Sequence, residues 1–307
     1  MKQFMKQTFI SSKRLQKPLI FIGPGRSGST IISEFILIHE LLAWPSNHTE
    51  LYPKLTFLNL LRPLFDNRYW RIIGEKGQLN RTRIFNNLLP RPAEAYPFWN
   101  RITPPSVDFA RDFLIGKTAT AEDANRIRGI IDRLVKMQGK SRFSMKITGP
   151  GRIGYLKSIF PDAIFINVIR EPAATVQSLL KVPFWHELGI DKLWWQGAYS
   201  EEEIAQFQTF IDNPVATTAF QLNKILTTTR WEAEQLDAKM LTINYEQFVS
   251  EPRDTLSEIM QFAELPPSDW IEEKLRLSPV HDRNRKTQFS PEDQLTIDTL
   301  CPKPGPS

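Results

Sequence analysis

Residues 23–30, Gly-Pro-Gly-Arg-Ser-Gly-Ser-Thr, gather three glycines, three hydroxyls and one cation into a single short stretch. That composition suits an anion. Glycines let backbone N–H groups turn inward, and the start of a helix adds partial positive charge. The apolar run Leu19-Ile20-Phe21-Ile22 comes before it, and a long apolar stretch from Ile31 to Trp44 follows. Strand, glycine loop, helix is the layout of a phosphate-cradling loop. The spacing of Gly23 and Gly28 fits a Walker A loop, but Ser29 stands where the lysine would be, and the loop's cation is Arg26. The pattern predicts a phosphate-like ligand other than an ordinary Mg·ATP.

A second cluster lies far down the chain. Residues 163–169, nearly all apolar, read as a buried strand ended by Arg170. Glu171-Pro172 opens a helix, with proline suited to its first position, and Ser178 follows Arg170 by eight residues. An arginine at a strand's C-terminal end and a hydroxyl on the next helix can reach one phosphate at the mouth of a parallel sheet.

Together these segments resemble the sulfotransferases that use 3'-phosphoadenosine 5'-phosphosulfate (PAPS). That family's donor loop reads roughly Pro-[Arg/Lys]-Ser-Gly-[Thr/Ser]-Thr. Gly25-Arg26-Ser27-Gly28-Ser29-Thr30 is similar, with Gly25 in the proline's place. The family's 3'-phosphate motif, Arg followed eight residues later by Ser, is matched by Arg170 and Ser178. Lys146-Ile147-Thr148-Gly149 and Leu241-Thr242-Ile243-Asn244-Tyr245 also look like this family, and the resemblance covers about residues 18–49, 140–182 and 238–290.

The resemblance implies roles for particular residues. Gly25, Arg26, Ser27, Gly28, Ser29 and Thr30 would hold the 5'-phosphosulfate, with Arg26 reaching the sulfuryl end. Arg170 and Ser178 would bind the 3'-phosphate, and Tyr245 would contact the nucleotide. Arg285 and Lys286, in a late basic segment, would close over it. Lys146 sits on a strand where a lysine is costly unless it faces an anion or the sheet's end, and the family's Lys-x-Pro element implies that it stabilises the transferring group. Transfer to a hydroxyl needs a base. His48 and Glu50 are the candidates, although the position of the family's glutamate falls on Asn47 without gaps. His48 suits neutral pH by its ordinary pKa, and the family's acidic precedent favours Glu50. No metal is expected.

The elements that must position these groups follow from the pattern of the chain. Residues 1–17 read as a flexible leader, 18–300 as a single domain and 301–307 as a tail. Strands are expected near 18–23, 143–147, 163–169 and 240–245. Helices are expected over about 28–43, 119–138, 153–160, 172–180, much of 203–237, and 252–263. Strands alternating with helices predict an α/β chain with a P-loop NTPase-like three-layer fold, a central parallel sheet flanked by helices. Residues 45–140, whose first part is rich in proline and aromatics, would form an acceptor-side lid. His39 reads as a core histidine.

Composition narrows the partners. The formal charge of +5 suits one groove for a nucleotide and is too small for nucleic-acid binding. One cysteine, Cys301, excludes an intramolecular disulfide, residues 1–17 lack the apolar core of a secretory leader, and no run is long enough to span a bilayer. A cytoplasmic enzyme acting on a small-molecule, carbohydrate or lipid acceptor is expected. A degenerate P-loop kinase or a catalytically silent nucleotide-binding protein are the alternatives.

Overall fold

The computed structural model describes residues 13–66, 89–278, 280 and 288–303. Among them five strands form one parallel sheet in the order β2-β3-β1-β4-β5. The strands are β1 (Leu19–Ile22), β2 (Leu42–Ala43), β3 (Arg142–Lys146), β4 (Ile164–Ile169) and β5 (Met240–Asn244). The first helices are α1 (Ser29–Ile36), α2 (Asn47–Leu51), α3 (Arg62–Phe65), α4 (Tyr96–Ile102) and α5 (Ala121–Met137). Next come α6 (Ile153–Ile159), α7 (Pro172–Leu179), α8 (Pro183–Leu188), α9 (Glu201–Gln208) and α10 (Pro214–Gln235). The last are α11 (Tyr245–Ser250), α12 (Pro252–Phe262), α13 (Asp269–Leu277) and α14 (Pro291–Leu300).

The period-two alternation of a strand divides the apolar residues between two layers. Leu19, Phe21, Ile164, Ile166 and Val168 pack with Ile32, Phe35 and Ile36 of α1 and with Ile259 of α12. Ile20, Ile22, Phe143, Met145 and Phe165 pack on the other face with Ile127 and Ile131 of α5 and Leu156 of α6. Every residue of β1 is fully buried. At about 1.5–3 kcal/mol for each large apolar side chain, such a strand is a strong anchor for the loop that follows it.

β1 lies between β3 and β4. From β1 the chain crosses toward β2, and from β4 it crosses the other way to β5. The C-terminal ends of β1 and β4 therefore flank a topological switch point, the crevice where parallel α/β sheets bind ligands.

One expectation needs correction. The first helix ends at Ile36 rather than near 43: the chain turns, with Leu42 N donating to His39 O at 3.0 Å, and Leu42–Ala43 forms an edge strand. Residues 13–17 are docked on the domain. Leu15 is buried, Arg14 pairs with Asp132, and Lys17 pairs with Glu264. Residues 1–12 lie outside the described residues. The tail also begins docked, with Cys301 buried and Lys303 paired with Glu171.

Candidate functional site

The loop after β1 is built to bring backbone close to something. At Gly23, φ is +142°, and a Cβ would sit 2.2 Å from the Val168 carbonyl oxygen. At Gly28, φ is +86°, and a Cβ would sit 2.2 Å from Cδ2 of Tyr245. Both positions therefore require glycine. Arg26 itself holds φ at +70°, a left-handed conformation that costs a non-glycine residue about 1–2 kcal/mol. Gly25 has room, with Leu179 Cδ2 at 3.9 Å as the near neighbour of a Cβ.

α1 starts from Gly28 with no side chain capping it. Ser27 Oγ is buried without a hydrogen-bond partner among the described residues, and Ser29 is buried beside it. A buried hydroxyl without a partner and an uncapped helix start are hydrogen-bond donors of the kind that can hold an anion.

The second sequence cluster arrives at the same place. Arg26 Nε donates to Ser178 Oγ at 2.9 Å, and Arg170 Nη1 donates to the Arg26 carbonyl at 3.2 Å. The Arg170 guanidinium lies over the Tyr245 ring, 4.9 Å from its centroid. Arg26, Arg170, Ser178 and Tyr245 thus converge at the switch point from four separate elements.

On the other side of β1, Lys146 ends β3. Its Nζ donates to Thr30 Oγ1 at 2.9 Å and pairs with Glu94 Oε1 at 2.7 Å. Glu94 also accepts from Thr148 Oγ1 at 2.7 Å and from Thr148 N at 3.3 Å, and Tyr96 OH donates to Thr148 O at 2.9 Å. Burial pushes the Glu94 carboxyl upward, but Lys146, Tyr96 and Thr148 outweigh it and hold the group below the usual carboxylate range. Tyr96 is pushed up by its burial and by the Glu94 charge. A continuous polar path therefore runs from the start of α1 through Thr30 and Lys146 to Glu94.

Sequence reasoning missed Glu94. It lies between prolines, in a segment with no period to mark it. Long-range bonds place it: Arg91 N donates to Asn47 Oδ1 at 2.9 Å, Asn47 Nδ2 donates to Leu89 O at 3.2 Å, and Ala93 N donates to Pro45 O at 2.9 Å. These fix residues 89–93 against the chain leaving β2.

His48 and Glu50 lie on α2, which packs on α4 and on the turn Thr56–Leu61. His48 is buried and Glu50 is half-buried. Ser46 and Thr49 form a capping box that holds this short helix. Arg285 and Lys286 lie outside the described residues. His39 is buried, with Nε2 3.0 Å from Pro266 O and Nδ1 accepting from Leu41 N at 3.1 Å. Among the described residues, no group of three His, Cys, Asp or Glu side chains is placed to hold a metal, and no helix is long and apolar enough to cross a membrane.

A parallel sheet with a glycine loop at its switch point defines a P-loop-like α/β protein. A sequence profile of the sulfotransferase family matches residues 18–269, and the chain belongs to that family. One solved structure agrees on the fold, and two others are similar in family name. Sulfotransferase STF9 from Mycobacterium avium is 16% identical, with 93% of this chain and 75% of that one covered and a TM-score of 0.55. Sulfotransferase STF1 from Mycobacterium tuberculosis is 13% identical, covering 97% and 80%, with a TM-score of 0.48. Mouse sulfotransferase SULT7A1, solved with PAP, is 13% identical, covering 96% and 85%, with a TM-score of 0.42. The sequence has no significant match among curated proteins.

Proposed function

We propose that the protein is a PAPS-dependent sulfotransferase that passes a sulfuryl group to a hydroxyl or amine acceptor and releases PAP. The observation that carries this reading is the contact between Arg26 and Ser178. Residues 152 apart in sequence, one from each half of the donor motif, meet at one crevice. PAPS supplies the electrophilic sulfuryl group.

The chain's own residues divide the work. The loop amides, Ser27 and Ser29 hold the 5'-phosphate, with Gly25 and Gly28 allowing the close approach. Arg170 and Ser178 read the 3'-phosphate by charge-assisted bonds, and Tyr245 backs the arginine. Arg26, Thr30 and Lys146 face the charge that develops at the sulfuryl and bridging oxygens.

Glu94 takes the acceptor's proton, in preference to His48 and Glu50, because it is the carboxylate that touches Lys146. Its basicity is coupled to that lysine. While Lys146 pairs with it, the carboxyl is held low. When Lys146 turns to the developing sulfuryl charge, its hold on the carboxyl weakens and the carboxylate becomes a stronger base. Residues 45–140 wall the acceptor side. The enzyme works in the cytoplasm, without a metal, on a small-molecule, carbohydrate or lipid acceptor.

The test is turnover. With radiolabelled PAPS and a panel of phenol, sugar, sterol and amine acceptors, label should pass to at least one class with equimolar PAP. Binding of PAP with no transfer to any class would leave a nucleotide-binding protein and overturn the proposal.

A further inference from the structure

The flank formed by residues 51–64, α4 and α5 carries a surface that the donor site does not use. Leu51, Tyr52, Leu55, Phe57, Leu60 and Leu64 are all between 42% and 65% exposed. The other exposed large apolar side chains among the described residues are scattered over residues 41–295. A cluster of this kind marks an interaction surface.

Pro53, Lys54 and Thr56 of the same stretch line a cavity of about 290 Å³ against α4 and α5. Its floor is apolar, with Phe98, Ile102, Ile130 and Leu134. Its rim carries Lys54, Arg101, Arg126 and Arg133, and no acidic side chain lines it. Among the described residues, Asp123 on Arg126 is the one carboxylate paired with any of the four. Arg101 Nη1 donates to the Pro53 carbonyl at 2.6 Å, which ties the exposed stretch to the rim. Neither Lys146, Glu94 nor the glycine loop lines this cavity.

We propose that this flank docks the protein on an anionic lipid bilayer, with the exposed apolar side chains entering the interface and the cationic rim holding headgroup phosphates. Exposed apolar groups beside four cations, three of them without a carboxylate partner among the described residues, match the two layers of a membrane surface. Charge argues against the nearer alternatives. Residues 67–88, next in the chain, carry five cations and one carboxylate, so they do not supply the anion. A two-fold pairing of this face with a second copy would set one cationic rim against another.

The experiment is co-sedimentation of the full chain with vesicles of phosphatidylcholine alone and of phosphatidylcholine with phosphatidylglycerol. It needs no sulfuryl donor, so it stands apart from the proposed activity. Binding is expected only to the anionic vesicles, weakening with salt and not displaced by free glycerol phosphate. Lys54→Glu with Arg133→Glu, and separately Phe57→Ser with Leu60→Ser, should each lower the partition by roughly tenfold or more. All four positions are exposed or line the surface cavity, so thermal melts of both variants should match the parent. Equal binding to neutral vesicles, displacement by glycerol phosphate, or partition unchanged in either variant would overturn the proposal. So would sedimentation equilibrium showing a dimer that the Phe57 and Leu60 changes dissolve.

Discussion

Replacing Glu94 with glutamine separates what the carboxylate does for the fold from what it does for the reaction. The pair it forms with Lys146 is mostly buried, the two side chains being 20% and 12% exposed. Glutamine keeps an acceptor for Thr148 but leaves Lys146 with Thr30 as its remaining partner. Exposed pairs contribute under about 1 kcal/mol, and stripping a fully buried charge of its partner costs about 3–5 kcal/mol. A site between these limits should lose about 2 kcal/mol, or roughly 3 °C in melting temperature for a chain of this size.

The pH dependence has a definite sign. Glu94's folded pKa is depressed, so its contribution is fully present above the unfolded value and is lost as pH falls through the folded value. Parent and Glu94→Gln should therefore differ at pH 7 and converge on acidification. Calorimetric melts across that range provide the check. In turnover assays Glu94→Gln should lose about 10²–10⁴-fold in kcat and lose the acid limb of the pH profile, while PAP affinity stays unchanged. A kcat within tenfold of the parent would refute Glu94 as the base. A stability gap that ignores pH would refute the ion pair as its cause.

The remaining predictions concern the donor site and the core. Gly28→Ala, which drives a Cβ into the Tyr245 ring at a positive φ, should cost about 1–3 kcal/mol and impair PAP binding, whereas Gly25→Ala, where a Cβ has room, should leave stability unchanged; titration calorimetry and melting curves of the two variants decide it. Arg170→Ala should weaken PAPS by about 1.5–3 kcal/mol more than adenosine 5'-phosphosulfate, with Ser178→Ala in the same direction, and equal losses would show that neither reads the 3'-phosphate. Burial, with the nearby Glu171 charge, pushes the Cys301 thiol up to about 12, so the native protein should resist a thiol reagent at pH 8 and react fully once denatured.

How far the sequence could be read depended on where the specifying forces lie. β4 is six residues, five of them apolar, between clear breakers, and its helix α7 starts on proline, so both fell within a residue of their expected places. The glycine loop was legible because its requirement is local: positive φ and close backbone contact leave only glycine at positions 23 and 28. The end of α1 was not legible. A two-residue edge strand inside a long apolar run has no period of its own, and only pairing with β3 reveals it. The docked stretch 13–17 was hidden for a similar reason. Arg14 and Lys17 look like solvated charges until Asp132 and Glu264 are brought beside them by the fold. Glu94 is the clearest case, since its place is set by bonds from Asn47 and Pro45, more than forty residues earlier.

The central claim is that the crevice beside β1 is a site for a 3'-phosphorylated adenosine nucleotide rather than for a metal-bound triphosphate. Titration calorimetry with PAP and with ATP, each with and without Mg²⁺, tests it most directly. The account predicts micromolar PAP binding that is indifferent to Mg²⁺, with ATP weaker under both conditions. Tighter ATP binding that depends on Mg²⁺ would contradict it.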